Sequence, residues 1–250
     1  MRISIVTAVL NGRDTLEQAI RSISSQIYKN IEHIIIDGGS TDGTLEVISR
    51  HKERIAKFIS EPDSGIYDAL NKGIRLASGD VIGLLHGDDF YAHDKVLGAV
   101  VEAFQKKSTD SCYGDLQYVD KNNPHRIIRH WKSSEYTTGK FKYGWMPPHP
   151  TFFVKREIYE KYGLFNLALG SAADYELMLR FLVKHRITTA YIPEVLVKMR
   201  IGGKSNSSLR NRIRANRMDR MAWKVNDLKP YPWTLWMKPL RKIGQYFLRG

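Results

Sequence analysis

The sequence predicts an α/β fold with a mostly parallel central sheet flanked by helices, and three observations carry that prediction. Over roughly the first 110 residues, short β-branched runs alternate with stretches of helical periodicity. Most of these runs end in turns rich in glycine, asparagine or aspartate. Polar residues gather just past the strand ends, where the ligands of such sheets sit. Strand–helix alternation of this kind lays strands parallel and puts helices on both faces.

Ile3–Ala8 reads as a buried strand, since apolar residues fill it almost without a gap. From Asp14 to Gln26, Leu16, Ala19, Ile20 and Ile23 fall at helical spacing. Glu32–Ile36 is the second strand, stopped by Asp37-Gly38-Gly39-Ser40; Thr41 or Asp42 can cap a helix running to about His51. Strand Ile55–Ser60, helix Ile66–Ala77 and strand Val81–Leu85 follow, the last ending in His86-Gly87-Asp88-Asp89. A helix over about Lys95–Lys106 completes the regular half. Beyond it come a strand at Cys112–Asp120 and a polar, aromatic loop region from Asp120 to Trp145. Met146-Pro147-Pro148-His149-Pro150 makes a rigid entry to a strand at Thr151–Val154. Helices at about Glu157–Tyr162 and Asp174–His185 precede a strand at Thr189–Ile192. The loop Gly202-Gly203-Lys204-Ser205-Asn206 leads to a helical tail, which divides the chain into residues 1–205 and a basic amphipathic extension, 206–250.

Composition bounds the function. Of 250 residues, 42% are apolar and 26% charged, which is the balance of a globular protein with a sizeable core. The one cysteine, Cys112, excludes an internal disulfide and fits a reducing compartment. The start of the chain carries no secretory signature, and no apolar run approaches the ~20 residues of a spanning helix. A cytoplasmic place is expected, with peripheral attachment to the inner face of the cell membrane as the variant. Charge is uneven: the formal net of +13 is concentrated between Arg200 and Gly250, where 13 Lys+Arg face 2 Asp+Glu. Trp236, Leu240, Ile243 and Phe247 recur every three or four residues there beside Lys238, Arg241 and Lys242. Leu209, Ile213, Met218, Met221, Ala222 and Val225 form a second, imperfect stripe. Such stripes suit either an anionic membrane surface, over about residues 208–250, or packing onto protein.

The sharpest chemical signal is Asp88-Asp89. Adjacent carboxylates repel unless a cation sits with them, and Mg²⁺ or Mn²⁺ completed by phosphate oxygens is the natural partner. For an isolated Asp-Asp a helix cap is the better reading, but at a strand end facing two other polar strand ends the metal reading leads. The glycines of Asp37–Gly43 permit close backbone approach to a ligand, or simply a tight turn. Asp174 opens a helical pattern and serves as a cap or as a general base. His149, between prolines, is stiffly held, and a structural role is the plainer reading for it. Asp68, Asn71 and Lys72 share a helical face that points at a nucleotide or at solvent.

Taken together these segments resemble the inverting family 2 glycosyltransferases, which have the GT-A fold, a Rossmann-like sheet. The resemblance rests on Ser4–Asn11, Ile34–Thr44, Ser60–Gly73, Gly87-Asp88-Asp89, Pro148–Phe153 and Ala173–Glu176, in order and in register to about residue 205. It implies transfer of a sugar from a nucleotide-diphosphate donor, with UDP the expected nucleotide, to a glycan or lipid-linked hydroxyl in surface polysaccharide or glycolipid synthesis. Thr7, Val9 and Asn11 would line the nucleoside pocket, and Asp37 would approach the base, with Asp68 on the same nucleotide side. Asp88 would lie near the ribose, Asp89 would hold Mn²⁺ or Mg²⁺, and Asp174 would be the base. His149 and Glu176 would lie near the sugars, and the loop around Lys204 would close over the donor. Two positions depart from the pattern: Gly38 where many relatives have a second Asp, and Ala173 where many have Glu.

Other classes fit less well. A metal-dependent nucleotidyltransferase normally needs a basic phosphate loop after the first strand, and Thr7–Gly12 has no lysine. A nucleic-acid-binding module leaves Asp37, Asp88, Asp89 and Asp174 unexplained, so no nucleic acid partner is expected. An inactive nucleotide-sugar-binding protein and a homo-oligomer both stay open.

Overall fold

The computed structural model describes residues 1–202, 209–241 and 245, with residues 209–214 described by their helical backbone alone. Among the described residues nine strands form one sheet. The first half follows the expected alternation: β1 (Ile3–Val9), α1 (Leu16–Ser24), β2 (Ile31–Asp37), α2 (Thr44–Arg50), β3 (Lys57–Ser60), α3 (Ile66–Leu76) and β4 (Val81–Leu84). Strands β3, β2, β1 and β4 lie side by side and parallel. Side chains alternate across β1. Ile3 and Ile5 join one core layer, Val6 and Ala8 another beneath α3, and Val9 a third with Leu16 and Ile20 of α1.

Beyond β4 the sheet continues with both antiparallel and parallel pairs. After β5 (Phe90–Tyr91) and α4 (Val96–Lys107) come β6 (Ser111–Val119), β7 (Ile127–Trp131) and β8 (Phe153–Lys155). Strand β8 runs antiparallel to both β4 and β6, and β7 runs antiparallel to β6. Strand β7 lies inside the stretch read as loop. All five of its residues are half-buried, so no apolar alternation marks it in the sequence. Helices α5 (Arg156–Tyr162) and α6 (Ala173–Met178) follow, and α6 continues as a π-turn over Leu179–Lys184. Strand β9 (Thr189–Arg200) is three times the expected length and parallel to β6. Register shifts on either side of Asp115 absorb Pro193, which lacks the N–H a regular ladder needs.

Helices α7 (Leu209–Val225) and α8 (Thr234–Leu240) end the described chain. Helix α7 lies against α6 with Ala222 and Trp223 buried, and the Trp223 indole donates to the Tyr175 hydroxyl at 3.0 Å. The buried face of α7 is therefore not the expected stripe, since Met221 and Val225 are exposed. The side chains of Leu209 and Ile213, and residues Ile243 and Phe247, lie outside the described residues. No helix among the described residues is long and apolar enough to cross a membrane.

Candidate active site

The carboxyl ends of β1, β2 and β4 form one rim, stitched by backbone bonds from Gly38 N–H to the Val9 carbonyl and from Gly87 N–H to the Ala8 carbonyl. The predicted nucleoside residues divide there. Thr7 is fully buried on the helix-covered face, its hydroxyl 3.0 Å from His33 Nε2, so it lines no pocket. Strand alternation, invisible in an all-apolar run, aims it inward. Val9 is likewise buried, among Leu16 and Ile20. Asn11 stays exposed at φ 53°; its side-chain oxygen accepts from Thr41 N–H at 3.0 Å and ties the first loop to the second.

Asp37 is fully buried and saturated. Gly39 N–H, Ser40 N–H and the Ser60 hydroxyl donate to one oxygen at 3.1, 3.0 and 2.7 Å, and the Ser40 hydroxyl donates to the other. It shapes the Gly38–Ser40 turn rather than facing outward. At Gly38, a Cβ would meet a carboxylate oxygen of Asp63 at 2.5 Å, so an acid from the β3–α3 loop occupies the space a residue-38 side chain would take. Asp68 accepts from Ser64 N–H at 3.1 Å and lies 3.8 Å from Lys72, which also pairs with Glu61. Asn71 points elsewhere, clamping the backbone of Phe165, so the expected shared face is not formed.

The loop after β4 is the opposite of that after β2. Asp89 is fully buried, and neither carboxylate oxygen has a hydrogen-bond partner of normal geometry. Burial, and then the neighbouring Asp88 charge, holds its carboxyl well above the usual range; the Arg200 backbone and guanidinium only partly offset this. Asp88 is exposed, and Arg200, reaching back from the end of β9, donates to its backbone carbonyl and to the Gln18 side chain. An orphaned buried carboxylate with a second acid beside it fits a divalent ion. No set of three or more His, Cys, Asp and Glu that could hold a metal occurs among the described residues. An ion here would take Asp89 and Asp88 from the protein and further oxygens from its ligand.

Across the cleft stands Asp174, the second residue of α6. One oxygen accepts from Tyr175 N–H at 2.8 Å, and the other lies 3.2 Å from His149 Nδ1. The turn His149–Thr151 is locked by the buried Thr151 hydroxyl, which lies 2.8 Å from the Pro148 carbonyl and 3.2 Å from Gly114 N–H, holding His149 at the cleft edge. His86 sits 6.1 Å from His149, ring to ring, and burial and the His149 charge push it down to about 4. Tyr67 and Tyr118 face the same centre. Burial raises both phenols, Asp174 raises both further, and Asp89 also acts on Tyr118. Tyr67, Leu84, His86, His149, Phe152 and Asp174 line one cleft between α3, β4 and α6.

Glu176 is not near that cleft. Two residues on from Asp174 it points to the far side of α6, buried, where it pairs with Arg180 at 3.0 Å and accepts from Asn226 of the tail at 3.1 Å. Lys204 lies outside the described residues. Sequence reasoning passed over His86, Arg200, Tyr67 and Asp63. His86 abuts Gly87-Asp88-Asp89 and Tyr67 and Asp63 lie within the motif Ser60–Gly73, so a signal existed for those; for Arg200, 111 residues from Asp89, there was none.

The model of Glycosyl transferase family 2 matches residues 4–163, which span every strand end described above except that of Arg200. The chain belongs to glycosyl transferase family 2. An uncharacterized glycosyltransferase of Mycobacterium tuberculosis is 34% identical over 180 residues, 71% of this chain and 68% of the relative. A glycosyltransferase of Mycobacterium bovis named for PGL/p-HBAD biosynthesis is 27% identical, over 82% and 79% of the two chains. Among solved structures, TarS of S. aureus in complex with UDP-GlcNAc superposes with TM-score 0.71 at 13% identity, over 95% of this chain and 69% of that one. Mannosyltransferase PcManGT from Pyrobaculum calidifontis, in complex with GDP-Man and Mn²⁺, gives 0.65 at 18%, over 100% and 76%. The fold of this family 2 glycosyltransferase is thus GT-A, and the enzyme is a sugar transferase.

Proposed function

We propose that this enzyme transfers a sugar, with inversion, from a nucleotide-diphosphate donor to an acceptor hydroxyl, and that UDP is the nucleotide. The observation that carries the reading is that two unlike acids both bear on Tyr118: Asp89, buried with no hydrogen bond of normal geometry, and Asp174, held by His149 at the edge of the cleft. Asp89 and Asp88 would hold Mn²⁺ or Mg²⁺, which when bound neutralises charge on the departing diphosphate. Asp174 accepts the proton of the acceptor hydroxyl as its oxygen bonds to the anomeric carbon, and the bond from that carbon to the phosphate oxygen breaks on the opposite face. His149 fixes the carboxylate oxygen it touches, leaving the acid oriented toward the cleft. Asp63, in the space beside Gly38, supplies the carboxylate on the nucleobase side, while Asp37 keeps the turn in shape. The acceptor is a glycan or lipid-linked sugar of the cell surface.

A thermal-shift panel of nucleotide sugars with and without Mn²⁺ tests the donor, because only a bound ligand raises apparent stability. NMR of the product then reads the anomeric configuration. A metal-dependent shift with a UDP-sugar and an inverted product are expected; a retained configuration would reject Asp174 as base, and stabilisation by no nucleotide sugar would reject the donor.

A further inference from the structure

Helix α8 is fastened to the body by one side and bare on the other. Thr234 and Leu235 are buried, the Thr234 hydroxyl donating to the Lys142 carbonyl at 2.5 Å. Lys238 pairs with Asp219 at 2.7 Å, its ammonium 3.6 Å above the Tyr175 ring. At 100° per residue, Trp233, Trp236 and Leu240 fall within a sector of about 60° facing away from Leu235. They are 49%, 69% and 55% exposed. The patch continues sideways: the Tyr231 ring lies 5.1 Å from Trp233 and 5.8 Å from Tyr143, itself half exposed. Cations surround it. Lys142 sits 4.9 Å over the Tyr231 ring, Arg241 reaches the Tyr143 carbonyl, Lys229 is exposed nearby in sequence, and the chain from Arg200 onward carries a net +11.

We infer that this face seats the enzyme on the headgroup region of an anionic bilayer. Trp and Tyr rings are apolar in body and polar at one end, which suits the boundary between acyl chains and water. Lys142 and Arg241 beside an apolar patch match negative lipid phosphates. A second copy of the chain would set +11 against +11, and a neutral glycan has no use for the charge. Seated this way, α8 holds the membrane one helix layer from α6, since Lys238 covers Tyr175, the neighbour of Asp174. The inference is independent of the proposed chemistry, because vesicle binding is read without donor or acceptor.

The test is sedimentation of the full chain with vesicles of phosphatidylglycerol and phosphatidylcholine, against phosphatidylcholine alone. Binding to the anionic vesicles is expected to be at least about tenfold tighter and to weaken with salt. Trp236→Glu combined with Leu240→Glu should lose about tenfold or more in binding, with an unchanged melting temperature. Trp236→Phe should keep most of it, and Ile27→Glu, at an exposed site on another loop, should change nothing. Should the double variant melt early, Trp236→Ala alone, at a side chain mostly in solvent, must still weaken binding. Undiminished binding of the double variant or of Trp236→Ala would overturn the inference, as would a wild-type chain that ignores anionic vesicles or one whose self-association, seen by light scattering, disappears in the double variant.

Discussion

The loops after β2 and β4 leave strands that flank β1 on either side, and each carries a fully buried aspartate. Asp37 receives four hydrogen bonds from its own turn and from Ser60; Asp89 receives none of normal geometry and has the Arg200 backbone and guanidinium nearby. A buried carboxylate surrounded by donors is a structural part, because its charge is already solvated by the protein. One without donors carries a desolvation cost that a bound cation would offset. Burial and residue type are the same in both, so satisfaction of the oxygens, and not their identity, separates scaffold from site.

Three experiments can break or sharpen that contrast. The largest effect is expected at Asp174 of α6, which has a histidine and a neighbouring N–H but still faces the cleft. Asp174→Asn should lower transfer about 10²–10⁴-fold while nucleotide-sugar stabilisation persists in thermal shift. Near-normal turnover would reject Asp174 as the base. Next, Asp37→Ala should cost about 3 kcal/mol by denaturant titration, since the Ser40 and Ser60 hydroxyls and two part-buried N–H groups lose their acceptor. Asp89→Asn should instead leave the unliganded chain as stable, or up to about 1 kcal/mol more stable, while abolishing Mn²⁺-dependent nucleotide binding. Equal losses in the two variants would dissolve the distinction.

The smallest effect comes from His33 on β2, whose buried ring touches Thr7 and which burial holds near 3. The folded chain keeps this ring neutral while the unfolded chain protonates it. Its contribution to stability is therefore full above about pH 6.5 and falls as pH drops toward 3. Near pH 5 the loss is about 2 kcal/mol, and His33→Asn should flatten that part of the stability profile. An unchanged slope in the variant would mean that the ring accepts a proton without leaving its place.

Much of the fold was legible because β1, β2 and β4 are almost wholly buried and mostly apolar, each reaching a glycine or aspartate at its end or within three residues of it. The same burial on both faces hid which way each side chain points: Thr7 meets His33, and Val9 packs among Leu16 and Ile20. Strand β7 was invisible for the reverse reason, being half-buried throughout and defined by pairing with β6. At the site, Asp88, Asp89 and Asp174 could be named from their places next to strand or helix starts. Glu176 could have been set aside on spacing alone, since two helical steps turn a side chain to the opposite face.

By itself, then, the order of residues determined the strand–helix alternation, the rim at which acids gather and the basic character of the tail, because these follow from local periodicity and composition. The tertiary structure alone decided that Asp89 lacks donors, that His149 meets Asp174, that Asp63 stands where Gly38 has no side chain, and that Trp223 rather than Met221 faces the body. Each of those is a distance between atoms far apart along the chain. Local pattern constrains which face a residue prefers, and only packing fixes what it meets there.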